Sequence, residues 1–323
     1  MNKKFMTKPI VVWCGALICS ILWGSAFPCI KIGYKMMNIA GDDVAGQILY
    51  AGYRFTLAGI MAIIIGSIMK KCFLHPTSVK SVKRVFVLSM YQTILQYLFF
   101  YIGLAHTDGT KASIIEGMNV FVAIIVSSIL FRMEKISTKK VVGCIIGFIG
   151  VLLVNVSGGT IDFGFAFNGE GFIFLSTVAY AFSSAMMKRY STEENTIMLS
   201  GWQFLVGGIV MSIAGILMGG HLESFTGAGA LMLIYLAFIS SVAYSIWSIL
   251  LAYNPVSRVA VFGFMNPVIG FFLSAILLNE IETIGILTFA ALIFVCVGIY
   301  IVNSGEKCAP ESDTFPNEGS SNV

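Results

Sequence analysis

Long apolar runs separated by short polar segments dominate the pattern of this 323-residue chain. Ten runs are each close to 20 residues, the length that an α-helix needs to cross the hydrocarbon core of a bilayer. We therefore predict an all-α integral membrane protein with ten transmembrane helices and no room for a soluble domain. The approximate spans are Val11–Gly33, Ile48–Met69, Val85–Ala105, Ala112–Phe131, Val141–Val156, Gly171–Met187, Thr196–Met218, Gly229–Leu251, Val259–Leu278 and Ile284–Val302.

Composition strengthens the membrane interpretation. Hydrophobic residues make up 57% of the chain and charged residues only 11%, with a mean hydropathy of +0.89, whereas soluble proteins carry about 25% charged residues. So few charges argue against a nucleic-acid partner, and the lipid bilayer is the expected surrounding. The seven cysteines form no C-x-x-C pair and there are only three histidines, so we expect no metal and no cofactor.

The basic residues indicate the orientation. If the N-terminus is cytoplasmic, 16 of the 20 Lys and Arg residues fall in inner segments, as the positive-inside rule requires. We therefore predict a cell-membrane protein with both termini in the cytoplasm. Residues 1–10 form the N-terminal tail, because the apolar run that follows is too long for a signal peptide. Residues 304–323 are polar and are predicted to be a disordered tail.

The two halves of the chain resemble each other. The register runs from the third predicted span into the fourth and from the eighth into the ninth, and Glu134 matches Glu280 after a shift of one residue. We predict a first repeat over residues 11–156, an outer linker over 157–170 and a second repeat over 171–303. The pairs separated by 147 positions are Tyr97 and Tyr244, Ala105 and Ala252, Lys111 and Arg258, Met118 and Met265, and Asn119 and Asn266.

Five spans per repeat is an odd number, so the second copy must enter the membrane inverted relative to the first. Lys111 is predicted outside and its counterpart Arg258 inside, which agrees with this inversion. Inverted repeats are typical of secondary transporters, in which two half-units move against each other around a central site.

Several segments carry a resemblance to a known family. These segments resemble motifs of the EamA family, which belongs to the drug/metabolite transporter superfamily. They are "ILWGSAFPCIK" in the first span, "YRFTLAG" in the second, the turns "LFRMEKI" and "ILLNEIE", and "FMNPVIG" in the ninth. The resemblance covers about residues 11–303 and implies a ten-helix permease that exports a small organic metabolite. One departure is Val120, the counterpart of Pro267, near "SIIEGMN" with its acidic Glu116.

Glu116 is the most informative single residue. It lies about one turn inside its predicted span, where an ionisable side chain is costly and is a functional candidate. The counterpart of Glu116 in the second half is Gly263, so the internal repeat does not require an acidic residue here. Asn119, three residues later, lies on the same helix face as Glu116. Three roles for Glu116 remain open. It could be the counter-ion for a substrate amine, a carboxylate that couples transport to protons, or a structural partner for a basic residue.

Arg54 interrupts the second span, and Gln203 stands at the matching place in "GWQFLVGG". Arg54 is near the outer end of its predicted span, where a long side chain can snorkel to the interface. A polar position in both halves favours a shared structural role, with binding of a substrate carboxylate as the alternative. Glu134 and Glu280 are likewise interpreted as structural residues in surface turns.

Polar and aromatic side chains recur along several other spans. Facing inward, they would line a cavity suited to amphipathic solutes; otherwise they make hydrogen bonds between helices and aromatic contacts at the interface. Glycines at positions 52, 59 and 66, and the pair 143 and 147, are interpreted as packing sites. The predicted substrate-binding residues are Trp23, Lys31, Gln92, Gln96, Glu116, Asn119, Tyr180, Tyr244, Trp247 and Asn266.

Enzyme motifs are absent from the sequence. It has neither a P-loop nor H-E-x-x-H, and no Ser/His/Asp set is recognisable. We therefore expect a non-enzymatic permease for a small molecule such as an amino acid, with proton coupling and a homodimer as open questions. The alternatives are a sugar-phosphate or nucleotide-sugar exchanger, which would require more buried cations, and a receptor or scaffold that does not transport.

Overall fold

A computed structural model of the protein describes residues 3–107, 109–157, 166–222, 226–277 and 286–304. These residues contain helices and no strands. Within the described residues, a short helix at Lys3–Met6 is followed by ten helical segments. They are α1 (Pro9–Met36), α2 (Val44–Lys70), α3 (Val79–Leu104), α4 (Gly109–Gly117 and Asn119–Ile125, then a π-helical turn Val126–Leu130), α5 (Thr138–Ser157), α6 (Phe167–Tyr190), α7 (Thr196–Leu217), α8 (Gly227–Tyr253), α9 (Val256–Ala260, a 3₁₀ turn Val261–Phe264 and Met265–Leu277) and α10 (Ile286–Ser304).

Eight of these segments are long and apolar enough to cross a membrane: α1, α2, α3, α6, α7, α8, α10 and the Val256–Leu273 part of α9. A shorter apolar stretch, Ile114–Leu130, lies in α4. The prediction of an all-helical integral membrane protein is therefore confirmed. Each predicted span overlaps one helical segment. The predicted C-terminal tail lies outside the described residues, apart from Ser304 at the end of α10.

Local sequence explains where several helices begin. The Asp43 carboxylate accepts a hydrogen bond from the Gly46 amide at the start of α2. The Asn195 side chain accepts from two amides at the start of α7, and Thr226 accepts from Gly229 at the start of α8. Such caps satisfy amides that have no partner within the helix. The cap at Asp43 starts α2 four residues before the predicted span, which places Arg54 deeper in the helix than expected.

The distribution of side chains is that of a membrane protein. Large apolar residues such as Ile68, Leu217 and Ile286 are mostly exposed, and an apolar exterior of this extent requires lipid. The interior in contrast holds fully buried polar residues, among them Thr93 and Gln203. Because no water reaches such positions in a bilayer, these groups must find partners inside the protein or in a bound molecule.

Glycines bring α2 and α7 into close contact. A Cβ at Gly59 would meet the Leu205 amide nitrogen and lie 2.7 Å from the Gly201 carbonyl oxygen. A Cβ at Gly208 would meet the Thr56 amide nitrogen in the same way. Glycine permits the two backbones to approach this closely, as the sequence predicted for Gly59.

The α4 and α9 segments are both irregular at matching positions. The helix of α4 is interrupted at Met118, whose amide bonds to the Ile115 carbonyl three residues back. In α9 a 3₁₀ turn ends at Phe264, directly before Met265. Met118 and Met265 are separated by 147 positions, the spacing of the sequence register.

Candidate functional site

Aromatic side chains from five helices meet in the interior. Trp23 makes edge contacts with Tyr244 and Trp247, with ring centroids 5.1 and 5.0 Å apart. Phe55 stacks on Phe204 at 5.2 Å with the ring planes only 3° apart. Contacts between Phe55 and Tyr97 and between Phe204 and Tyr244 complete the group. We call it the central aromatic cluster, and it consists of Trp23, Phe55, Tyr97, Phe204, Tyr244 and Trp247.

A hydrogen bond between two tyrosines lies within this cluster. The hydroxyls of Tyr97 in α3 and Tyr244 in α8 are 2.9 Å apart, and either oxygen can be the donor. The two residues are separated by 147 positions, so each is the sequence counterpart of the other. The stacked pair Phe55 and Phe204 is related in the same way, with a spacing of 149. Side chains that meet their own counterparts are expected where a two-fold axis passes between two similar units.

Arg54 lies beside the cluster and is buried, with 4% of its surface exposed. Its Nε donates a hydrogen bond of 3.0 Å to the Ser240 hydroxyl in α8, and its guanidinium interacts with the Tyr101 hydroxyl. The expectation that Arg54 snorkels is therefore wrong. No carboxylate of the described residues forms an ion pair with it, which is unusual because buried charges are normally paired.

Several tyrosine hydroxyls lie within electrostatic range of this guanidinium. Two are the bonded pair of the aromatic cluster, and a third, that of Tyr50, is buried without a protein hydrogen bond. Tyrosine hydroxyls donate hydrogen bonds to anions, so the arrangement is suited to negative charge. The tyrosines within electrostatic range of Arg54 are Tyr34, Tyr50, Tyr97, Tyr101 and Tyr244.

Glu116 is a second ionisable group near this tyrosine pair. The Tyr97 hydroxyl is within electrostatic range of both Arg54 and Glu116. Over the part of the chain that the structure describes, Glu116 makes neither a hydrogen bond nor an ion pair. The nearby Asn119 approaches α9, because a Cβ at Gly263 would lie 3.3 Å from its Oδ1 atom. Arg54 and Glu116, neither of which pairs with a charged group of the described residues, are therefore both within electrostatic range of Tyr97.

The structure brings some of the predicted substrate-binding residues together and leaves others apart. Trp23, Tyr244 and Trp247 belong to the cluster, and Tyr180 interacts with Trp247. Lys31 is exposed on α1 and is not part of the group. Buried polar atoms without a hydrogen-bond partner occur on Trp23 Nε1, Gln92 Oε1, Gln96 Oε1 and Asn266 Oδ1.

The residues predicted to be structural differ in their surroundings. Gln203 is fully buried, and its Oε1 accepts a hydrogen bond of 2.6 Å from the Thr93 hydroxyl. This bond joins α7 to α3, as a structural role requires, although the Nε2 atom of Gln203 has no partner. Glu280 lies outside the described residues.

Glu134 forms a buried polar cluster in the turn between α4 and α5. It pairs with Lys140 at 2.6 Å, and both side chains are at most 7% exposed. It also accepts hydrogen bonds from the Ser127 hydroxyl and from the amide and hydroxyl of Ser257, in the first turn of α9. Burial raises the pKa of this carboxyl, but the bonds from Lys140 and Ser257 outweigh burial and hold the pKa below its usual value.

Three residues beside Arg54 were missed by the sequence reasoning: Tyr34, Tyr50 and Tyr101. Their signal was the spacing of four between Tyr50 and Arg54 and between Tyr97 and Tyr101, which places each pair on one helix face. In a helix that is apolar all round, that spacing does not say which face points inward.

Comparison with known proteins gives the family. The sequence profile of the EamA-like transporter family matches residues 11–156 and 167–304. A protein of Archaeoglobus fulgidus named "Uncharacterized transporter" is 27% identical over 296 residues, covering 90% of this chain and 98% of its own length. A protein of Escherichia coli K12 named "Probable amino-acid metabolite efflux pump" is 26% identical over 303 residues, with coverages of 88% and 92%.

A solved crystal structure shares the fold. It has a TM-score of 0.72 and 13% sequence identity, and the match covers 91% of this chain and 97% of that one. The names of the relatives indicate a transporter rather than an enzyme. Because the family profile covers most of its length, this chain belongs to the EamA-like transporter family and is a multi-pass membrane transporter.

Proposed function

We propose that this protein is a secondary transporter that exports a small organic metabolite, such as an amino acid, by alternating access. The name of the relative from Escherichia coli supports an amino-acid metabolite as cargo. The central aromatic cluster, with unpaired charges of opposite sign at its edge, supports a substrate that is both amphipathic and polar.

The observation that carries the mechanism is the reciprocity of the α2–α7 contact. Gly59 abuts Leu205 and Gly208 abuts Thr56, and both glycines and both partners are separated by 149 positions. A contact that repeats with the two halves exchanged supports an arrangement of ten transmembrane helices as two inverted five-helix repeats. The family profile, which matches the chain in two segments, supports the same arrangement. Such halves can move against each other about a central site.

The buried polar atoms without partners support the location of the site. Native interiors rarely leave such atoms unpaired, and each one needs an explanation such as a bound molecule. We place the substrate within the central aromatic cluster, in contact with Tyr180 and the unpaired polar residues around it. The polar residues that would contact it are Gln92, Gln96, Glu116, Asn119 and Asn266.

Uptake by sealed proteoliposomes tests this function. The labelled panel would hold aromatic and aliphatic amino acids, purines, polyamines and cationic dyes, each with and without an imposed pH gradient and beside protein-free vesicles. We expect saturable uptake of amino acids by the wild-type protein. Folded protein that transports no solute above the protein-free control would contradict a transport function and support a receptor.

We further propose that Glu116 couples transport to protons. In the bilayer a charged carboxylate without a partner is costly. Glu116 would therefore be protonated while it is enclosed, and it would bind or release its proton when the site opens to one side or the other. We expect Glu116→Gln to lose the stimulation of uptake by a pH gradient, whatever its uptake rate under a substrate gradient alone, because an amide cannot take up and release the coupled proton. The initial uptake rates of both proteins with and without the pH gradient measure this effect. An undiminished response in Glu116→Gln would refute the coupling role.

The proposed orientation has both termini in the cytoplasm of the cell and the protein in the cell membrane. Fusing a reporter that is active only in the cytoplasm to the C-terminus, and in a second protein to the α7–α8 connection, tests it. We expect activity from the C-terminal fusion and none from the α7–α8 fusion, which the ten-span arrangement places outside. The opposite pattern would invert the topology.

A further inference from the structure

The Arg54 guanidinium is a buried cation whose protein contacts are all neutral. Its Nε bonds to Ser240, and a further interaction reaches Tyr101. Ser240 in turn donates to the Leu236 carbonyl of its own helix, so the hydroxyl is held in place as an acceptor. A purely structural arginine at this depth would be expected to have an acidic partner, because an unpaired buried charge is costly. The described part of the chain supplies none.

The surroundings of Arg54 are chemically matched to a carboxylate. Tyr50, on the same helix face one turn before it, has a buried hydroxyl without a partner, and five tyrosine hydroxyls lie within electrostatic range. Planar guanidinium groups bind carboxylates through two parallel hydrogen bonds. A phosphate dianion fits less well, since among the described residues Arg54 is the only cation at the site and Glu116 would repel the second negative charge.

We propose that Arg54 is the carboxylate-recognition residue of the substrate site and that the substrates are zwitterions with an apolar or aromatic side chain. The carboxylate binds Arg54 and the tyrosines beside it. The amine faces Glu116, and the side chain lies against Trp23 and Trp247. This inference rests on the proposed function and gives Arg54 a role in binding in place of the structural role predicted from the sequence.

The test compares each amino acid with the amine that remains when its carboxylate is removed. The probes are tryptophan with tryptamine and leucine with isopentylamine, measured as apparent affinities in proteoliposome uptake. Arg54→Gln is the informative variant, because it gives position 54 the residue that its counterpart Gln203 already has and is therefore expected to fold. A thermal unfolding curve in detergent checks this. Arg189→Gln, at an exposed arginine of α6, is the matched control.

We expect the wild-type protein and Arg189→Gln to prefer each amino acid over its amine by roughly 10- to 100-fold, the effect of a charge-assisted hydrogen-bonded pair. In Arg54→Gln the preference should fall to about 1 through loss of affinity for the amino acid alone. Arg54→Lys should retain part of the preference, since a point charge replaces a bidentate one.

Other outcomes separate this inference from the proposed function. An equal loss of affinity for amino acid and amine in folded Arg54→Gln would overturn the carboxylate role and leave transport intact. Wild-type uptake of amines or cationic dyes alone would do the same. Stronger competition by inorganic phosphate than by tryptophan would overturn the zwitterion class. No saturable uptake of any solute would contradict the proposed function itself.

Discussion

Replacing Glu134 with alanine is expected to lower the free energy of unfolding by about 3–5 kcal/mol, the cost of breaking a buried ion pair by removing one partner. The carboxylate pairs with Lys140 and accepts hydrogen bonds from Ser127 and Ser257. Its loss removes the carboxylate of this ion pair and the acceptor of the hydrogen bonds from Ser127 and Ser257. Equilibrium unfolding of the purified protein in mixed detergent and dodecyl sulfate micelles measures the change.

Two further variants identify the cause. The double variant Glu134→Ala with Lys140→Met should recover part of the loss, because neither charge is then left buried. Glu193→Ala removes an exposed carboxylate, which pairs with Lys80 and Arg84, and should change stability far less. A loss of under about 1 kcal/mol in Glu134→Ala would show that the cluster is not structural.

The same cluster predicts a pH dependence. The Glu134 pKa in the folded protein lies below its usual value of about 4.5, so the unfolded chain binds its proton more readily. The stabilisation is then complete above about pH 4.5 and is lost as the pH falls through the lowered pKa. Unfolding between pH 3 and 7 should show a smaller acid-induced loss for Glu134→Gln than for the wild-type protein.

Substituting alanine for Gly208 is expected to lower the free energy of unfolding by about 3 kcal/mol, at the upper end of what overpacking costs. The new Cβ would meet the Thr56 amide and lie 2.8 Å from the Phe55 carbonyl carbon. Both are backbone atoms, so the contact cannot be relieved by rotating a side chain, and α2 and α7 must separate. The same unfolding measurement in mixed micelles reports the change.

Gly227 provides the matched control, because a Cβ there meets nothing within 4 Å. Gly227→Ala should leave stability unchanged or slightly raised. The reciprocal variant Gly59→Ala should resemble Gly208→Ala, since its Cβ would meet the Leu205 amide. If Gly208→Ala were as stable as Gly227→Ala, the close approach of α2 and α7 would be refuted.

The helical segments and the packing role of Gly59 followed from the sequence because both depend on local composition. The length of an apolar run predicts a membrane helix, and small residues spaced along one face predict close packing. The 147-residue register likewise pairs Tyr97 with Tyr244, whose hydroxyls are hydrogen-bonded to each other.

The surroundings of Arg54 could not be predicted from the sequence, because they depend on which helices are neighbours in the fold. The helix was predicted to begin at Ile48, so Arg54 was placed near the interface, whereas the Asp43 cap starts it at Val44. Its partner Ser240 lies 186 residues away. The hydrogen bonds between Glu134 and Ser257 could not be predicted from the sequence either, because nothing in the local sequence of one segment specifies the other as its neighbour.

The hydrogen bond between the Tyr97 and Tyr244 hydroxyls has an energetic consequence for the proposed transport cycle. Two chemically identical groups share it, and either can donate. If the halves exchange their roles between the inward-open and outward-open forms, such a contact has the same energy in both and favours neither. The resting preference of the transporter must then come from contacts with no identical counterpart, and Glu116, opposed by Gly263 in the register, is one residue that can set it.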